Sequence, residues 1–404
     1  MPEAVTGKGG APAAPSQSFK LGLFFFVYYA HAGTFATYAS LFFAARGMSA
    51  AEIGILMSLI QVMRIFGPNL WGWVADHTKQ RVLVLRLTAV GALLSFSGIF
   101  FGQGFGQFFV AMVLLNLFTS AQGPLSDALM LASLKGDLSN YGRVRLWGSA
   151  GFIAAVMVAA YGLEWYGVDA LPWIAGVMLV FVVLASLRIR EAPRALVEEV
   201  GAPLWSVLRQ PAVLAFFAST ALMVSAHTAL YVFYSLYLEL EGYSKPVIGL
   251  MWSLGVLAEI VFFYFQGALF RRFGVRRVLM VSFAVALLRF AMVGTGGHSL
   301  ALLVFAQLLH ALTFGAHHSA CVMTMQRWFA GPLQARGQAL YMSIAYGVGG
   351  TLGGLFMTLC WERAGPDSIF VAAAVLSLAG GVVAALSLRW QDRADQARLA
   401  ASSS

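Results

Sequence analysis

Residues 47–81 read GMSAAEIGILMSLIQVMRIFGPNLWGWVADHTKQR, and residues 242–276 read GYSKPVIGLMWSLGVLAEIVFFYFQGALFRRFGVR. A shift of 195 residues aligns the two without a gap. Gly47/Gly242, Ser49/Ser244, Ile53/Ile248, Gly54/Gly249, Ser58/Ser253, Leu59/Leu254, Gly72/Gly267 and Arg81/Arg276 are identical pairs. Each copy is long and apolar enough for a membrane span, and each carries one charge at the same interior position: Arg64 in the first, Glu259 in the second. Parallel repeats of helical bundles, with a site near the bilayer midplane between them, are an architecture of membrane transporters.

Composition agrees. Hydrophobic residues are 60% of the chain and charged residues 11%, against about 25% charge in soluble domains. The net charge of +9 does not indicate nucleic-acid binding, because the basic residues sit in short connectors between apolar runs. Cys321 and Cys360 both lie within such runs, with no disulfide or metal-ligand spacing around them. No metal site and no cofactor are expected.

A hydrocarbon core of about 30 Å takes about 20 helical residues. Twelve apolar segments meet that length, near 19–43, 52–75, 82–102, 105–131, 143–163, 169–188, 211–238, 246–270, 277–296, 299–325, 338–361 and 367–388. The fold class is therefore all-α membrane protein, with two pseudo-symmetric six-helix bundles at 19–188 and 211–388. Residues 1–18 form a disordered tail, 189–210 a linker and 389–404 a second tail. On one side the connectors hold Arg46, Lys245 and Arg363; on the other lie Lys79, Arg81, Arg86, Lys135, Arg188, Arg190, Arg276, Arg277, Arg327, Arg389 and further basic residues. The positive-inside rule then places both tails and the linker in the cytoplasm. Trp165, Trp173, Trp361 and Tyr243 fall near span ends, where amphipathic rings favour the interface.

Gly72-Trp-Val-Ala-Asp76-His-Thr-Lys79-Gln-Arg81 resembles the signature loop of the major facilitator superfamily. Its glycine permits close helix contact, its acid meets a neighbouring basic group or helix end, and its basic residues face the cytoplasm. Gly72, Asp76 and Arg81 are accordingly a conformational motif. The second copy has Arg271 where the acid would stand. Within that superfamily, Tyr141-Gly-Arg143-Val-Arg145-Leu-Trp147, Gly123-Pro124-Leu-Ser-Asp127 and Leu250-Met-Trp252-Ser-Leu-Gly255-Val-Leu-Ala-Glu259 resemble the lactose-permease and phenylpropionate-permease branch. Arg289-Phe and Leu309-His310-Ala-Leu-Thr313-Phe314 do so as well. The resemblance implies a proton symporter of the bacterial inner membrane, driven by the proton gradient and not by a cofactor; a single twelve-span chain holds a complete site, so a monomer is expected. It also makes Arg289 the expected partner of Glu259, with Arg64 as the alternative that sequence alone does not decide against. The branch's acid three residues after the span-ten histidine is Thr313 here, so coupling cannot run through that position.

Charges inside a membrane span cost several kcal/mol and mark function. Arg64, Glu259, Arg289 and His310 each fall near the midplane, on four different helices. Glu259, Asp127 and His310 are the candidates for carrying a coupling proton. Arg64, Arg145 and Arg289 are candidates for gripping a carboxylate. His31, His227, Trp147 and Trp252 are candidates for lining a cavity, with Tyr28, Tyr38, Tyr231 and Tyr234 as further rings. His317, seven residues after His310, shares its face on a regular helix. The glycine-rich run Gly347–Gly354 reads as a small-residue packing seam. The expected activity is uptake of a small aromatic carboxylate with a proton. A sugar or nucleoside cargo is the alternative, favoured by the Asp127/Arg145 pair. Efflux by antiport is a further alternative. No nucleophile–base pair, metal set or sizeable soluble domain supports an enzyme.

Overall fold

A computed structural model describes residues 16–134, 138–191, 204–329 and 333–402. Most of the expected first tail and most of the expected linker, at 1–15 and 192–203, lie outside the described residues. The long helices are α1 (Gln17–Ala45), α2 (Ala50–Thr78), α3 (Arg81–Phe101), α4 (Phe105–Ser133), α5 (Leu138–Tyr166) and α6 (Leu171–Arg188). After a short helix at Leu204–Leu208 come α7 (Pro211–Leu240), α8 (Lys245–Phe273) and α9 (Val275–Gly296). The last three are α10 (Leu300–Trp328), α11 (Arg336–Ala364) and α12 (Ser368–Ser402). Eleven of the twelve are long and apolar enough to cross a membrane. The twelfth, α1, carries Tyr28, Tyr29, His31, Thr34, Thr37 and Tyr38, which lower its hydropathy, and it buries most of its length inside the protein.

The repeat is kept in the backbone. Gly47 and Gly242 both take positive φ, at 76° and 85°, a conformation that glycine adopts without a Cβ penalty. Ser49 and Ser244 are the N-caps that follow, with near-identical dihedrals. Ser49 completes a capping box with Glu52. α2 and α8 each then run for 29 residues.

The first six helices pack among themselves, α1 on α5 and α6, and α4 on α2 and α3. The last six do likewise, with α12 on α7 and α9. α12 extends beyond its apolar stretch to Ser402, and its polar turns are fastened by ion pairs from Arg276 to Asp392 and from Arg327 to Asp395. Thus residues 389–402, taken from sequence as a tail, are helical. Trp165 and Trp173 are exposed near helix ends, as expected for interfacial rings. Trp361 instead stacks on Phe233 with ring centroids 4.7 Å apart, and Tyr243 donates to the Gly297 carbonyl.

The halves meet along two pseudo-equivalent seams, α2 against α11 and α8 against α5. Gly347, Gly350 and Gly354 let α11 approach Ile65, Gln61 and Ser58 of α2, while Gly349 and Gly353 let it approach Ala221 and Ser225 of α7. Gly54 admits Thr358, and its counterpart Gly249 admits Tyr38 and Ala160. Any side chain there would overlap these neighbours. The described chain ends, Gln17 and Ser402, lie on one face of the bundle, the terminal face. The seams close the opposite face. There the Ala51 N–H donates to Glu362 at 3.1 Å, and the Lys245 N–H donates to Glu164 at 3.1 Å. Each is a carboxylate from one half set on the N-terminus of a helix in the other. No comparable packing joins α4 to α10 or α11 among the described residues, so the halves part toward the terminal face.

A carboxylate at a helix N-terminus is worth about 0.3–1 kcal/mol. Replacing both Glu164 and Glu362 with Gln should therefore shift the closed-to-open balance of the opposite face by roughly three- to thirtyfold. The readout is the labelling rate of a cysteine at Ser58, buried in the α2–α11 seam, in a background lacking Cys321 and Cys360. It should rise.

Candidate functional site

A cavity of about 160 Å³ lies between the halves. Phe152 comes from α5, Tyr231 and Tyr234 from α7, and Trp252 and Glu259 from α8. Arg289 of α9 and Gln307, His310 and Phe314 of α10 complete the polar and aromatic end. Trp252 is oriented by its indole N–H, which donates to Ser235 Oγ at 3.0 Å, and it meets Tyr234 edge-on.

Arg289 is 1% exposed, and its donors are taken up by protein. Nε donates to the Ala306 carbonyl at 2.9 Å, Nη2 to Gln307 Oε1 at 2.9 Å, and Nη1 to Thr313 Oγ1 at 3.0 Å. Nη1 also lies 2.9 Å from His310 Nδ1. On the other edge of that ring, His310 Nε2 is 2.7 Å from Glu259 Oε1. Guanidinium has donors only, so Nδ1 must accept and Nε2 must carry the hydrogen. His310 is thereby fixed as the neutral Nε2–H form, donating to Glu259. The expected direct Glu259–Arg289 pair is therefore replaced by a bridge, with the imidazole between the two charges.

A second chain braces the arginine. His227 Nδ1 faces the Met223 carbonyl at 2.9 Å, so it donates there, and Nε2 accepts from the Thr313 hydroxyl at 3.2 Å. His227 was expected to line the cavity; it is 2% exposed and stands behind Thr313. His31 was expected there too. It lies inside the first half, bonded to the Ala175 carbonyl at 3.2 Å and packed on Phe35 and Phe96. Trp147 does not line the cavity either; it packs edge-on against Phe19 and Phe26. These three corrections share a cause, since aromatic and imidazole rings fill helix–helix interfaces as readily as cavity walls.

Arg64 is half-buried on α2. Its Nη1 donates to Gln61 Oε1 at 3.0 Å, and its guanidinium lies 5.7 Å from the Tyr346 ring centroid. Among the described residues no carboxylate is within ion-pair distance of it. Tyr346 lies under the Arg64 guanidinium, and Tyr231 lines the cavity with Glu259. Tyr346, Gln61 and Gln307 were not singled out from sequence. The two glutamines carried a usable signal: each is an amide three residues before a buried Arg64 or His310 in an otherwise apolar run.

Asp127 and Arg145 form a separate cluster toward the terminal face. Arg145 Nε is 3.8 Å from Asp127 Oδ1, and Tyr141 donates to the same oxygen at 3.0 Å. Arg145 also donates to the Tyr29 hydroxyl and lies over that helix's Phe25 and Tyr29 rings. Gly72, Asp76 and Arg81 border a further cavity of about 180 Å³ between α2 and α4, beside Pro124. They are remote from the central site.

Two six-helix halves, closed at one face around a charged aromatic cavity, are the architecture of a membrane transporter of the major facilitator type. The chain belongs to the MFS_1 like family, whose pattern it matches over residues 18–372. It is 28% identical to the "Probable 3-phenylpropionic acid transporter" of Escherichia coli (strain K12), over 88% of this chain and 94% of that one. It is 26% identical to the "Maltose permease" of Geobacillus stearothermophilus, over 88% and 90% respectively. The crystal structure of nucleoside transporter NupG superposes with a TM-score of 0.80 at 17% identity, covering 93% of this chain and 99% of that one. The protein is thus a multi-pass membrane transporter and not an enzyme.

Removing one partner of a buried, hydrogen-bonded charge costs about 3–5 kcal/mol. Arg289→Ala strands Gln307, Thr313 and Glu259 and should lower the unfolding temperature in detergent. Combining it with Glu259→Gln, which removes the orphaned charge, should recover part of that loss.

Proposed function

We propose that this transporter carries a small aromatic carboxylate, of the 3-phenylpropionate kind, together with a proton. Two observations carry the reading: a ring-sized aromatic cavity, and Arg64, which lies outside its lining on the repeat-related helix of the other half and has a neutral amide as its hydrogen-bond partner. A cavity of about 150 Å³ is known to hold benzene, and this one is about 160 Å³. Four of the five Arg289 N–H groups are bonded within the protein, and Arg145 is engaged by Asp127 and Tyr29. Arg64 is left to take the carboxylate, ideally in bidentate fashion. Trp252, Tyr234 and Phe152 hold the ring. The name of the Escherichia coli relative supports the same cargo class.

Coupling follows from charge. A cargo anion at Arg64 is repelled by an ionised Glu259. Protonating Glu259 removes that repulsion, so proton and anion each strengthen the other's binding by the same factor. The distribution of Lys and Arg supports a cytoplasmic terminal face in a bacterial inner membrane, which makes this conformation open to the cytoplasm. The Asp127–Arg145 pair favours a hydroxyl-rich cargo, and the names of the maltose and nucleoside relatives point the same way. Sugars and nucleosides therefore belong in the competition panel.

The test is uptake of labelled 3-phenylpropionate into proteoliposomes with and without an inward proton gradient, after subtracting passive entry into empty liposomes. Accumulation should collapse with a protonophore. Glu259→Gln should abolish gradient-driven accumulation while exchange of cargo across the membrane persists. Arg64→Gln should weaken 3-phenylpropionate about 10- to 150-fold, the worth of a hydrogen bond to a charged group, and leave the neutral amide of the same acid nearly unaffected. Uptake that ignores the gradient, or cargo competition by sugars alone, would replace this reading.

A further inference from the structure

We propose that His318 is the group that passes the coupling proton between Glu259 and the solution at the terminal face. The proposal rests on the proton-coupled reading above and deepens it. It starts from a break in helix geometry. Residues Ala311–Ala316 of α10 form a π-turn, and such insertions recur at functional sites. The wider turn cancels the register in which His317 would share the face of His310. His317 is instead buried, edge-on to Phe283 and beside Cys321. His318 takes the face that His317 loses. His310, Phe314 and His318 stack as a ladder, with centroid steps of 5.4 Å and 6.3 Å and interplanar angles of 14° and 10°.

The ladder leads from the site toward solution. His318 lies eight residues beyond His310, roughly 12 Å along the helix at 1.5 Å per residue, in the direction in which the halves part. Its ring is half-buried. Across from it stand Tyr341 and Tyr346 of α11, and Glu259 of α8 stands at the other end of the ladder, 2.7 Å from His310 Nε2. Arg64 of α2 lies over the outer ring of that group, Tyr346. On its own helix the titratable neighbours are His310, His317 and Cys321.

Hydrogen-bond chemistry then separates the histidines. His310 meets a donor-only guanidinium at Nδ1 and donates at Nε2, so it has no lone pair to offer. His227 spends Nδ1–H on a carbonyl and Nε2 on Thr313. His318 Nδ1 is 3.3 Å from the Tyr341 hydroxyl and 3.2 Å from that of Tyr346. Hydroxyls both donate and accept, so they tolerate either charge state of the ring. His318 Nε2 has no hydrogen-bond partner among the described residues. In the tautomer whose Nδ1–H donates to a tyrosine oxygen, the Nε2 lone pair is free.

The step balances with water as the only co-reactant. The Glu259 carboxylic acid loses its proton to a water molecule of the vestibule, which passes a proton to the Nε2 lone pair of His318. The imidazolium gives that proton to the solution at the terminal face. Glu259 is left as the carboxylate that accepts from His310. The reverse sequence loads the proton.

The experiment follows cargo-driven proton movement in proteoliposomes with an interior pH dye, across a series of pH values at the terminal face. His318→Gln should slow proton movement about tenfold or more relative to cargo exchange and flatten the pH profile. His318→Ala should be slow and recover with added imidazole, a response that a packing role would not give. Should either variant fail to bind cargo, the Tyr341→Phe/Tyr346→Phe pair supplies the test, because it should move the midpoint of the pH profile. A wild-type rate and profile in His318→Gln, no imidazole recovery, or an unmoved midpoint would each overturn the proposal. Glu259→Gln run alongside separates the two claims: if it too retains gradient-driven accumulation, the coupling reading has failed and the relay with it.

Discussion

A guanidinium sealed inside a membrane protein dictates what its surroundings can be. Arg289 has no water to turn to, so each neighbour must offer an acceptor, and each acceptor is then constrained in turn. Gln307 presents its oxygen, Thr313 presents its oxygen and passes its hydrogen to His227, and His310 presents Nδ1. The direction of every hydrogen bond around the arginine is therefore set by a group that cannot accept one. The last consequence falls on Glu259, which receives the His310 N–H. A single buried cation thus fixes both the tautomer beside the site and the orientation of the acid that faces the cavity.

Pseudo-symmetry explains why the site's charges are distributed as they are. Arg64 and Glu259 occupy the same place in two copies of one helix, yet only the second is built into a network. The frame around them is common to both: a left-handed glycine, a serine cap, a 29-residue helix and a carboxylate from the other half at the helix N-terminus. Divergence is confined to what each helix presents at mid-depth. The scaffold is symmetric while the groups it carries at mid-depth are not.

The sequence made the architecture legible because membrane thickness leaves little freedom in span length, and because a gapless repeat has few structural readings. Helix boundaries fall close to their expected places except at the end of α12. That helix runs on because ion pairs to Arg276 and Arg327 support polar turns that hydropathy cannot see. Charges were legible for the same energetic reason, and Arg64, Glu259, Arg289 and His310 all lie where the halves meet or line the cavity. Neutral rings were not. His31, His227 and Trp147 look the same in sequence whether they face cargo or a neighbouring helix, and the structure turns all three away from the cavity. A π segment at Met342–Gly349 of α11 is hidden too, and so is the π-turn in α10. The latter depends on how α10 packs against α8 and α9, and no local residue pattern announces it.

Alternating access puts an energetic demand on the mid-depth charges that static burial does not. When the halves close over the cavity, any unbalanced charge loses its access to water, and desolvation then resists closure. In the ionised empty site Glu259 lies across a histidine from Arg289, while Arg64 keeps its charge against a neutral amide. An anion bound at Arg64 cancels that excess but stands near Glu259 carboxylate; a proton alone on Glu259 leaves two arginines uncompensated. Anion and proton together leave Arg64 paired with cargo and Arg289 as the one remaining cation, dispersed over four hydrogen bonds. The empty ionised site likewise leaves one net positive charge, since Glu259 offsets one arginine. These two occupancies carry the same net charge, and each half-loaded one differs from it by a unit. On net charge alone the anion-only site, at zero, would close most readily, so in the proposed symport the repulsion between the anion and the Glu259 carboxylate, and not net charge, is what must keep the anion from crossing without its proton.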